Sequence, residues 1–349
     1  MDSIDFRSDT VTWPTEAMRE AMARAAVGDD VWGDDPTTQR LEALAAERVG
    51  TAAALLVASG TMGNLLAIMT HCQHGDEMIA GREAHTFVHE VGGAAAVAGV
   101  QINTLAVQHD GTLALEDIRA AMRDPHDLHL PRTRLITLEN TQSGIGGIPI
   151  TAAYTREVRA LCDAHGLRLH LDGARLWNAA VALGCEAREL VAPVDSVSFC
   201  LSKGLCAPVG SLLCGSTELV ARARRLRKML GGGMRQTGVL AAAGIIALEQ
   251  MTERLVEDHA HARQLAEGLA AIDGIGIDLT RVQTNLVFFD LKPEVPFDGA
   301  ALCVAMWQKY GLKLADSGPR TLRAVTHYWI RREHIEQLIE AVRAELHGR

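Results

Sequence analysis

The chain has 349 residues, of which 48% are hydrophobic, 22% are charged and 4% are aromatic. This length predicts about two domains with a sizeable core, and the composition excludes disordered, fibrous and disulfide-stapled proteins. The formal net charge of −9 gives no general attraction for nucleic acid or for anionic membranes.

The cysteines and the first residues bear on the compartment. Seven cysteines, an odd number without a C-x-x-C pair, indicate reduced thiols in a cytoplasmic protein. Residues 1–5 lack the basic and apolar regions of a signal peptide, which favours the same location. The uncharged stretch 49–75 is long enough to span a bilayer. Because residues 59–64 predict a turn, we interpret the stretch as a buried strand, a turn and a buried helix.

The predicted elements begin with helices over residues 15–26 and 37–49, with Pro14 in the first turn of the first helix. A Gly- and Asp-rich loop separates them. Short apolar strands then alternate with amphipathic helices, a pattern typical of βαβ units around a mostly parallel sheet that helices cover on both faces. The predicted strands are 53–58, 77–80, 101–107, 134–138, 168–171, 196–201 and 211–214, and the predicted helices between them are 61–72, 115–122, 152–165 and 216–229.

From about residue 255 the pattern changes to that of a smaller α+β domain. We predict residues 1–14 as an N-terminal arm that contributes to the active site, 15–254 as the large domain and 255–349 as the small C-terminal domain. The elements predicted in the small domain are a long helix from 255, a strand over 285–291, a helix over 297–310, a strand over 321–326 and a final helix from 332.

Reactive side chains at strand ends are the candidate site residues, because ligands of open α/β sheets bind beyond the carboxyl ends of the strands. Ser59-Gly60-Thr61 joins a strand to a helix whose free N–H groups suit an anion, with an ordinary capped turn as the alternative. Asp172 directly follows an apolar strand. It suits the protonated nitrogen of a pyridine ring, although an N-cap aspartate is common.

Two lysines add to this set. Lys203 ends another apolar strand, where its amine can act as a nucleophile, although a solvated lysine is the commoner case. The segment 222–236 carries a cationic cluster, three glycines and Arg235. A solvated helix face would not require the glycines, so Lys228 and Arg235 are candidates for a phosphate or intersubunit contact. An anion-binding turn, an aspartate and a lysine in this order are what pyridoxal phosphate requires.

Ordered motifs along nearly the whole chain resemble those of the low-specificity L-threonine aldolases, which are pyridoxal-phosphate enzymes of fold type I, the aspartate aminotransferase fold. That fold has a large domain with a mostly parallel sheet flanked by helices and a smaller α+β C-terminal domain. The matching segments are 6–12, 27–30, 59–61, 84–85, 138–141, 170–175, 201–205, 231–236 and 323–327.

The resemblance implies a set of cofactor-binding residues. Lys203 would carry the cofactor as a Schiff base, Asp172 would bind the pyridine nitrogen, and Gly60 and Thr61 would hold the phosphate. His85 would stack on the ring.

It also implies a set of substrate-binding residues. Arg175 would contact the ring hydroxyl or the substrate carboxylate, and Ser8 and Arg323 would hold that carboxylate. His129 would lie near the substrate hydroxyl, with a surface-loop position as an equal alternative.

Lys228 and Arg235 would reach the phosphate of a neighbouring subunit, in a homotetramer with active sites at the dimer interface. Trp32 stands where the family commonly has tyrosine, and Gln142-Ser143 stands where many members have His-Asn. Both departures could change the substrate pocket. No residue cluster in the sequence has metal-ligand spacing, so we predict no metal site, with a structural cation as the open alternative.

The implied activity is cleavage of L-threonine and L-allo-threonine to glycine and acetaldehyde, and the reverse addition. His85 or a phosphate-held water would take the β-hydroxyl proton. Alternatives are a related lyase, such as a phenylserine aldolase, or a β-eliminating lyase that forms pyruvate and ammonia. A transaminase would release a 2-oxo acid. An inactive regulatory protein is more remote, because the chain retains Lys203, Asp172 and both arginines.

Overall fold

The computed structural model describes residues 4–347, so residues 1–3 of the predicted arm and the last two residues of the predicted small domain lie outside the described part. Within residues 4–347, no helix is both long enough and apolar enough to cross a membrane. The strands are β1 (Ile4–Asp5), β2 (Ala53–Val57), β3 (Glu77–Gly81), β4 (Gln101–Leu105), β5 (Thr133–Glu139), β6 (Arg168–Asp172), β7 (Ser196–Cys200), β8 (Ser211–Gly215), β9 (Ile275–Gly276), β10 (Leu286–Leu291), β11 (Leu312–Lys313), β12 (Ala315–Asp316) and β13 (Thr321–Val325). The helices are α1 (Glu16–Ala23), α2 (Pro36–Val49), α3 (Gly60–His71), α4 (His85–Val88), α5 (Gly93–Ala96), α6 (Leu115–Ala121), α7 (Ala152–His165), α8 (Leu176–Leu183), α9 (Ala187–Val191), α10 (Thr217–Met229), α11 (Gly238–Gln250), α12 (Leu255–Ala270), α13 (Gly299–Tyr310) and α14 (Arg332–His347).

Seven strands form the large sheet, in the order β2-β8-β7-β6-β5-β3-β4. Strand β8 pairs antiparallel with both of its neighbours, and the other pairs are parallel. Alternate residues of β2 point to opposite faces. Leu56 packs in the core that contains α2, whereas Leu55 packs in the cluster that contains α3 and α10. The predicted mostly parallel sheet with helices on both faces is confirmed.

A second core surrounds a four-stranded antiparallel sheet in the order β12-β13-β10-β9. Helices α12, α13 and α14 contribute its other buried side chains. The N-terminal segment joins this core, because β1 pairs with β11 and Phe6 is fully buried there. The residues that follow Phe6 are therefore anchored next to the large domain.

The structure corrects the prediction at two helix starts. Pro14 does not lie in the first turn of α1, because Thr15 is the N-cap and its hydroxyl accepts the N–H of Met18. The predicted turn over residues 59–64 is also wrong. Ser59 caps α3, and the helix begins at Gly60.

Five helices were not predicted from the sequence: α4, α5, α8, α9 and α11. Three of them have only four or five residues. Helices α8 and α11 are apolar on almost all sides, as their sequences LWNAAVAL and GVLAAAGIIALEQ show. A helix buried all round has no polar face, so no amphipathic pattern marks it.

Candidate active site

The candidate site lies at the carboxyl ends of β5, β6 and β7. Glu139 and Asp172 end β5 and β6 and are paired across the two strands. Lys203 lies three residues beyond the last residue of β7. The hydroxyl of Thr12 donates to the backbone carbonyl of Lys203 over 2.8 Å, so the N-terminal segment holds this loop. Two sequence-predicted residues, Asp172 and Lys203, thus lie at one edge of the sheet.

The carboxylate of Asp172 is buried and held on both oxygens. Oδ1 accepts the N–H of Ala174 over 3.0 Å, and Oδ2 accepts the side-chain amide of Asn64 over 2.7 Å. Asn64 lies one turn into α3, so this bond brings the start of α3 to the end of β6. Each carboxylate oxygen has a further lone pair, so Asp172 can still accept from a ligand.

Arg175 forms a buried ion pair with Asp9. Its Nε and Nη2 lie 2.7 Å and 2.6 Å from the two carboxylate oxygens. Burial opposes ionisation of Asp9, but the charge and hydrogen bonds of Arg175, with the nearby Lys203, hold the pKa of Asp9 well below its usual value. The Arg175 guanidinium is therefore oriented by the chain itself.

Arg323 is a second cation beside this pair. Its Nη2 donates to the carbonyl of Arg7 over 3.0 Å, while its Nε is buried with no hydrogen-bond partner among residues 4–347. Burial, and then the charge of Arg175, lower the pKa of Arg323. Ser8 directly follows Arg7. Two cations and a hydroxyl at this position suit an anionic ligand such as a carboxylate.

His85 begins α4, and its ring is fixed by Glu90. Nδ1 lies 2.9 Å from Oε1 of Glu90, and the backbone N–H donates to Oε2 of Glu139 over 2.9 Å. The bond to Glu90 raises the pKa of His85 against the effect of burial, and the charge of Asp172 adds to it. Because Nδ1 is used by Glu90, Nε2 is the nitrogen left for a ligand.

Gln142-Ser143, one of the two departures from the resembled family, forms hydrogen bonds to Glu139. The amide of Gln142 donates to Oε2 over 3.2 Å, and the backbone N–H of Ser143 donates to Oε1 over 3.0 Å. Burial, and then the charge of Asp172, raise the pKa of Glu139. These side chains hold a carboxyl group at the back of the site.

The start of α3 forms a narrow recess. The hydroxyl of Ser59 accepts the N–H of Met62, which leaves the N–H groups of Gly60 and Thr61 in the first turn without a helical acceptor. A Cβ at Gly60 would lie 2.9 Å from Sγ of Cys200. The recess therefore requires glycine, and its backbone donors suit an anion.

Lys228, Arg235 and Trp32 lie together on the surface beside this recess. A Cβ at Gly232 would lie 2.7 Å from Sδ of Met62, so the glycine loop packs against the first turn of α3. Arg235 pairs with Asp29 over 2.9 Å, Lys228 is exposed, and Trp32 is 78% exposed.

His129 lies away from the candidate site. Its side chain is 93% exposed, and Nδ1 lies 2.9 Å from Oδ1 of Asp127. The loop that carries it precedes β5, so it is at the amino ends of the strands, opposite the candidate site. Within one chain the structure does not bring His129 to the other predicted residues.

Three groups at the site have the spacing of metal ligands. Ligand atoms of His85, Glu90 and Asp172 all lie within 4.8 Å of one another. They come from two segments that are more than 80 residues apart, so sequence spacing could not reveal them. Asn64 donates to both carboxylates and His85 contacts Glu90, so hydrogen bonds already account for the cluster.

Sequence reasoning gave no role to Asp9, Asn64, Glu90 or Glu139. Asp9 and Glu139 stand inside matched motifs, but no pattern showed what each would contact. The sequence predicts Asn64 as a turn residue, whereas it lies in α3. Nothing in the sequence marked Glu90, because its partners come from α3 and α4.

The comparisons with known proteins agree on one family. A family model described as beta-eliminating lyase matches residues 5–292. The chain is 47% identical to low-specificity L-threonine aldolase 1 of Arabidopsis thaliana, over 95% of this chain and 92% of that protein. It is 44% identical to low specificity L-threonine aldolase of Escherichia coli strain K12, over 98% of this chain and 99% of that protein.

Solved structures show the same fold at lower identity. A threonine aldolase of Leishmania major has a TM-score of 0.82 and 21% identity, with 98% of this chain and 99% of that chain covered. An aspartate aminotransferase of Rhizobium meliloti has a TM-score of 0.69 and 14% identity, with 99% of this chain and 91% of that chain covered. The predicted fold type I is confirmed.

Proposed function

The chain belongs to the low-specificity L-threonine aldolase family of beta-eliminating lyases, and on that premise we propose that it cleaves L-threonine and L-allo-threonine to glycine and acetaldehyde with pyridoxal phosphate. The same site would catalyse the addition of glycine to aldehydes. The observation that carries the proposal is the position of Lys203 and Asp172 at the carboxyl ends of neighbouring strands, with the two cations Arg175 and Arg323 close to each other beside them.

The residues at this edge fit pyridoxal phosphate. The recess at Gly60, which a Cβ would fill, and the free N–H groups of α3 suit its phosphate. Asp172 is an acceptor for a protonated ring nitrogen, and Lys203 offers the amine that carries the cofactor. His85, next to Asp172, suits stacking on the ring.

When bound, pyridoxal phosphate supplies an electron sink for the pair released as the Cα–Cβ bond breaks. The chain supplies orientation. Arg323 has a buried Nε, without a hydrogen-bond partner among residues 4–347, that would bind the substrate carboxylate. Ser8 follows Arg7, whose carbonyl accepts from Arg323, and would add a hydroxyl there. Arg175 is already neutralised by Asp9, so it can contact the ring hydroxyl or the carboxylate without leaving an isolated buried charge. Fixing the carboxylate sets which bond at Cα is aligned for cleavage.

We expect His85 to accept the β-hydroxyl proton at Nε2, as the hydroxyl oxygen becomes the aldehyde oxygen. His85→Ala should lower kcat about 10²–10⁴-fold with both threonine diastereomers, the range typical of a general base. Since the base must be neutral and the pKa of His85 is raised, wild-type activity should fall on the acid side with a midpoint above about 6.5. Steady-state rates from pH 5.5 to 9 measure both effects.

His109→Ala is the matched control, because His109 is an exposed histidine that pairs with Asp278 on the surface. It should keep wild-type rates. Near-full turnover by His85→Ala would exclude His85 as the base and favour a phosphate-held water.

The products of L-threonine cleavage test the reaction itself. We expect equal amounts of glycine and acetaldehyde from the purified, cofactor-loaded protein. A 2-oxo acid and ammonia would instead identify a β-eliminating lyase, and a 2-oxo acid formed only with an amino acceptor would identify a transaminase. Phenylserine turned over much faster than either threonine would identify a phenylserine aldolase.

We further propose a homotetramer in which Lys228 and Arg235 reach the phosphate site of a neighbouring subunit. His129 would likewise reach the active site of a neighbouring subunit. The exposed Trp32 and Met229, at 78% and 66%, support a protein contact beside these cations. Light scattering should give a four-chain mass, and a monomer would contradict this arrangement. The free state of all seven cysteines supports a cytoplasmic location.

The predicted three-part division also remains a proposal. Residues 1–14 would act as the arm, 15–254 as the large domain and 255–349 as the small domain. The packing of Phe6 in the second core supports an arm that reaches the site.

A further inference from the structure

A connected chain of polar side chains runs through the interior behind Asp172. Nε2 of His71 lies 2.8 Å from Oγ of Ser196, and that oxygen lies 2.8 Å from Nδ1 of His170. Nε2 of His170 lies 3.1 Å from Oδ1 of Asn64. Ser196, His170 and Asn64 are each at most 1% exposed. Apolar side chains would fill this space at no desolvation cost, so the polar residues need an explanation.

The orientation of the Asn64 amide follows from its partners. One side of it faces Oδ2 of Asp172 at 2.7 Å and Oε1 of Glu90 at 2.8 Å, and carboxylates only accept. The NH₂ group must therefore be on this side. Oδ1 faces the opposite way and accepts from Ser198 over 2.6 Å and from His170. All four hydrogen-bonding positions of the amide are used.

The histidine tautomers follow in turn. Because Oδ1 of Asn64 only accepts, Nε2 of His170 carries the proton. Burial lowers the pKa of His170 to about 4, so the ring is neutral and Nδ1 accepts from the Ser196 hydroxyl. Burial, and then the charge of His170, lower the pKa of His71 to about 3, so its ring is neutral as well. Because the single proton of the Ser196 hydroxyl is donated to His170, Nε2–H of His71 donates to Ser196. Every bond in the chain thus points its donor toward Asp172.

We propose that Asn64, locked in one orientation by His170, is a positioning residue that holds the Asp172 carboxylate in place as the partner of the cofactor's ring nitrogen. The proposal rests on the proposed function, because it concerns how that cofactor is bound. Asn64 also donates to Glu90 and so holds that carboxylate in place. Glu90 in turn fixes Nδ1 of His85, which leaves Nε2 of His85 free. The Asn64 amide therefore orients Asp172 directly and His85 through Glu90, and these are the two groups that would contact the cofactor ring.

The charges around Asp172 explain why it needs this donor. The titratable groups that face it are Glu139 at the end of β5, His85 and Glu90 from α4 and the loop after it, and His170 on its own strand. Two of the four are carboxyl groups, and they disfavour a further negative charge nearby. One NH₂ group that donates to both Asp172 and Glu90 offsets that repulsion, whereas a hydroxyl has a single proton and an apolar side chain has none.

The dissociation constant of pyridoxal phosphate for the apo protein, measured by absorbance at neutral pH, tests the proposal. In Asn64→Ala this constant should rise about tenfold, because Asp172 loses the hydrogen bond that fixes its orientation. His170→Leu should raise the constant as well. His170→Gln keeps an N–H donor near the position of Nε2 and should stay close to the wild type.

Asn103→Ala is the matched control. Asn103 is a partly buried asparagine in the middle of β4, the edge strand of the large sheet, and its side-chain amide donates to the carbonyl of Ala121 over 3.3 Å. This variant should lose stability without changing the dissociation constant. If Asn64→Ala does not fold, the comparison of His170→Leu with His170→Gln decides. Equal dissociation constants for all variants that bind would overturn the positioning role, whereas a wild type that binds no pyridoxal phosphate would overturn the proposed function.

Discussion

Asp9→Asn is expected to lower the free energy of unfolding by about 3–5 kcal/mol at pH 7, the cost of breaking a buried ion pair from one side. The substitution keeps the shape of the side chain but leaves Arg175, which is 8% exposed, without a counter-charge. Arg323 lies nearby, so the unpaired charge would also face a second cation. Urea denaturation of the apo protein measures the loss.

The pH dependence gives this prediction a second readout. Because the pKa of Asp9 is lower in the folded chain than in the unfolded chain, its stabilisation is complete above the ordinary carboxyl pKa of about 4. It is lost as the pH falls through the folded value. The stability difference between wild type and Asp9→Asn should therefore be constant from about pH 8 to pH 5 and narrow below about pH 4.

Asp5→Asn is the control on the same segment. Arg7 donates to the Asp5 carboxylate from its side chain over 2.9 Å, 3.1 Å and 2.6 Å and from its backbone N–H over 3.0 Å, but the Arg7 side chain is 50% exposed. A solvated pair of this kind contributes about 0–1 kcal/mol. Equal losses in the two variants would show that burial of the Asp9 pair has no special weight.

Lys203→Ala should lower kcat for threonine cleavage on the order of 10³-fold or more, because the substitution removes the nucleophilic amine that follows β7. Lys203→Arg keeps the positive charge beside Asp9 but removes the nucleophile, so it should be equally inactive. Acetaldehyde release is the measurement. A Lys203→Arg variant with substantial activity would mean that the charge at this position is what the reaction needs.

Lys292→Ala serves as the control for a lysine substitution. Lys292 is exposed after β10, far from the strand ends that form the site. Its rate should match that of the wild type.

The sequence predicts strands and site residues correctly where the pattern that marks them lies within one short segment. Apolar runs located β2–β8 to within a few residues, and reactive residues after two of these runs located Asp172 and Lys203 at one sheet edge. Parallel strands bring their carboxyl ends together, so chain position alone was enough. Helices α8 and α11 were not predicted because their nearly apolar sequences lack the polar face that a periodicity search needs.

Partners could not be read from the sequence where they join distant segments. Asp9 meets Arg175 across 166 positions, and Asn64 meets Asp172 across 108. Each contact depends on how the N-terminal segment and α3 pack, which no local pattern encodes. Gln142 and Ser143 were noted as departures, but their role in holding Glu139 needed the geometry of the loop.

The most direct test of the site is to find which amine carries the cofactor. Borohydride reduction of the loaded protein fixes the cofactor to that amine, and peptide mass spectrometry then locates it. We expect a single modified residue, Lys203. Modification of Lys228 or another lysine, or no modification of a protein that has bound pyridoxal phosphate, would contradict the assignment of the active site to the carboxyl ends of β5, β6 and β7.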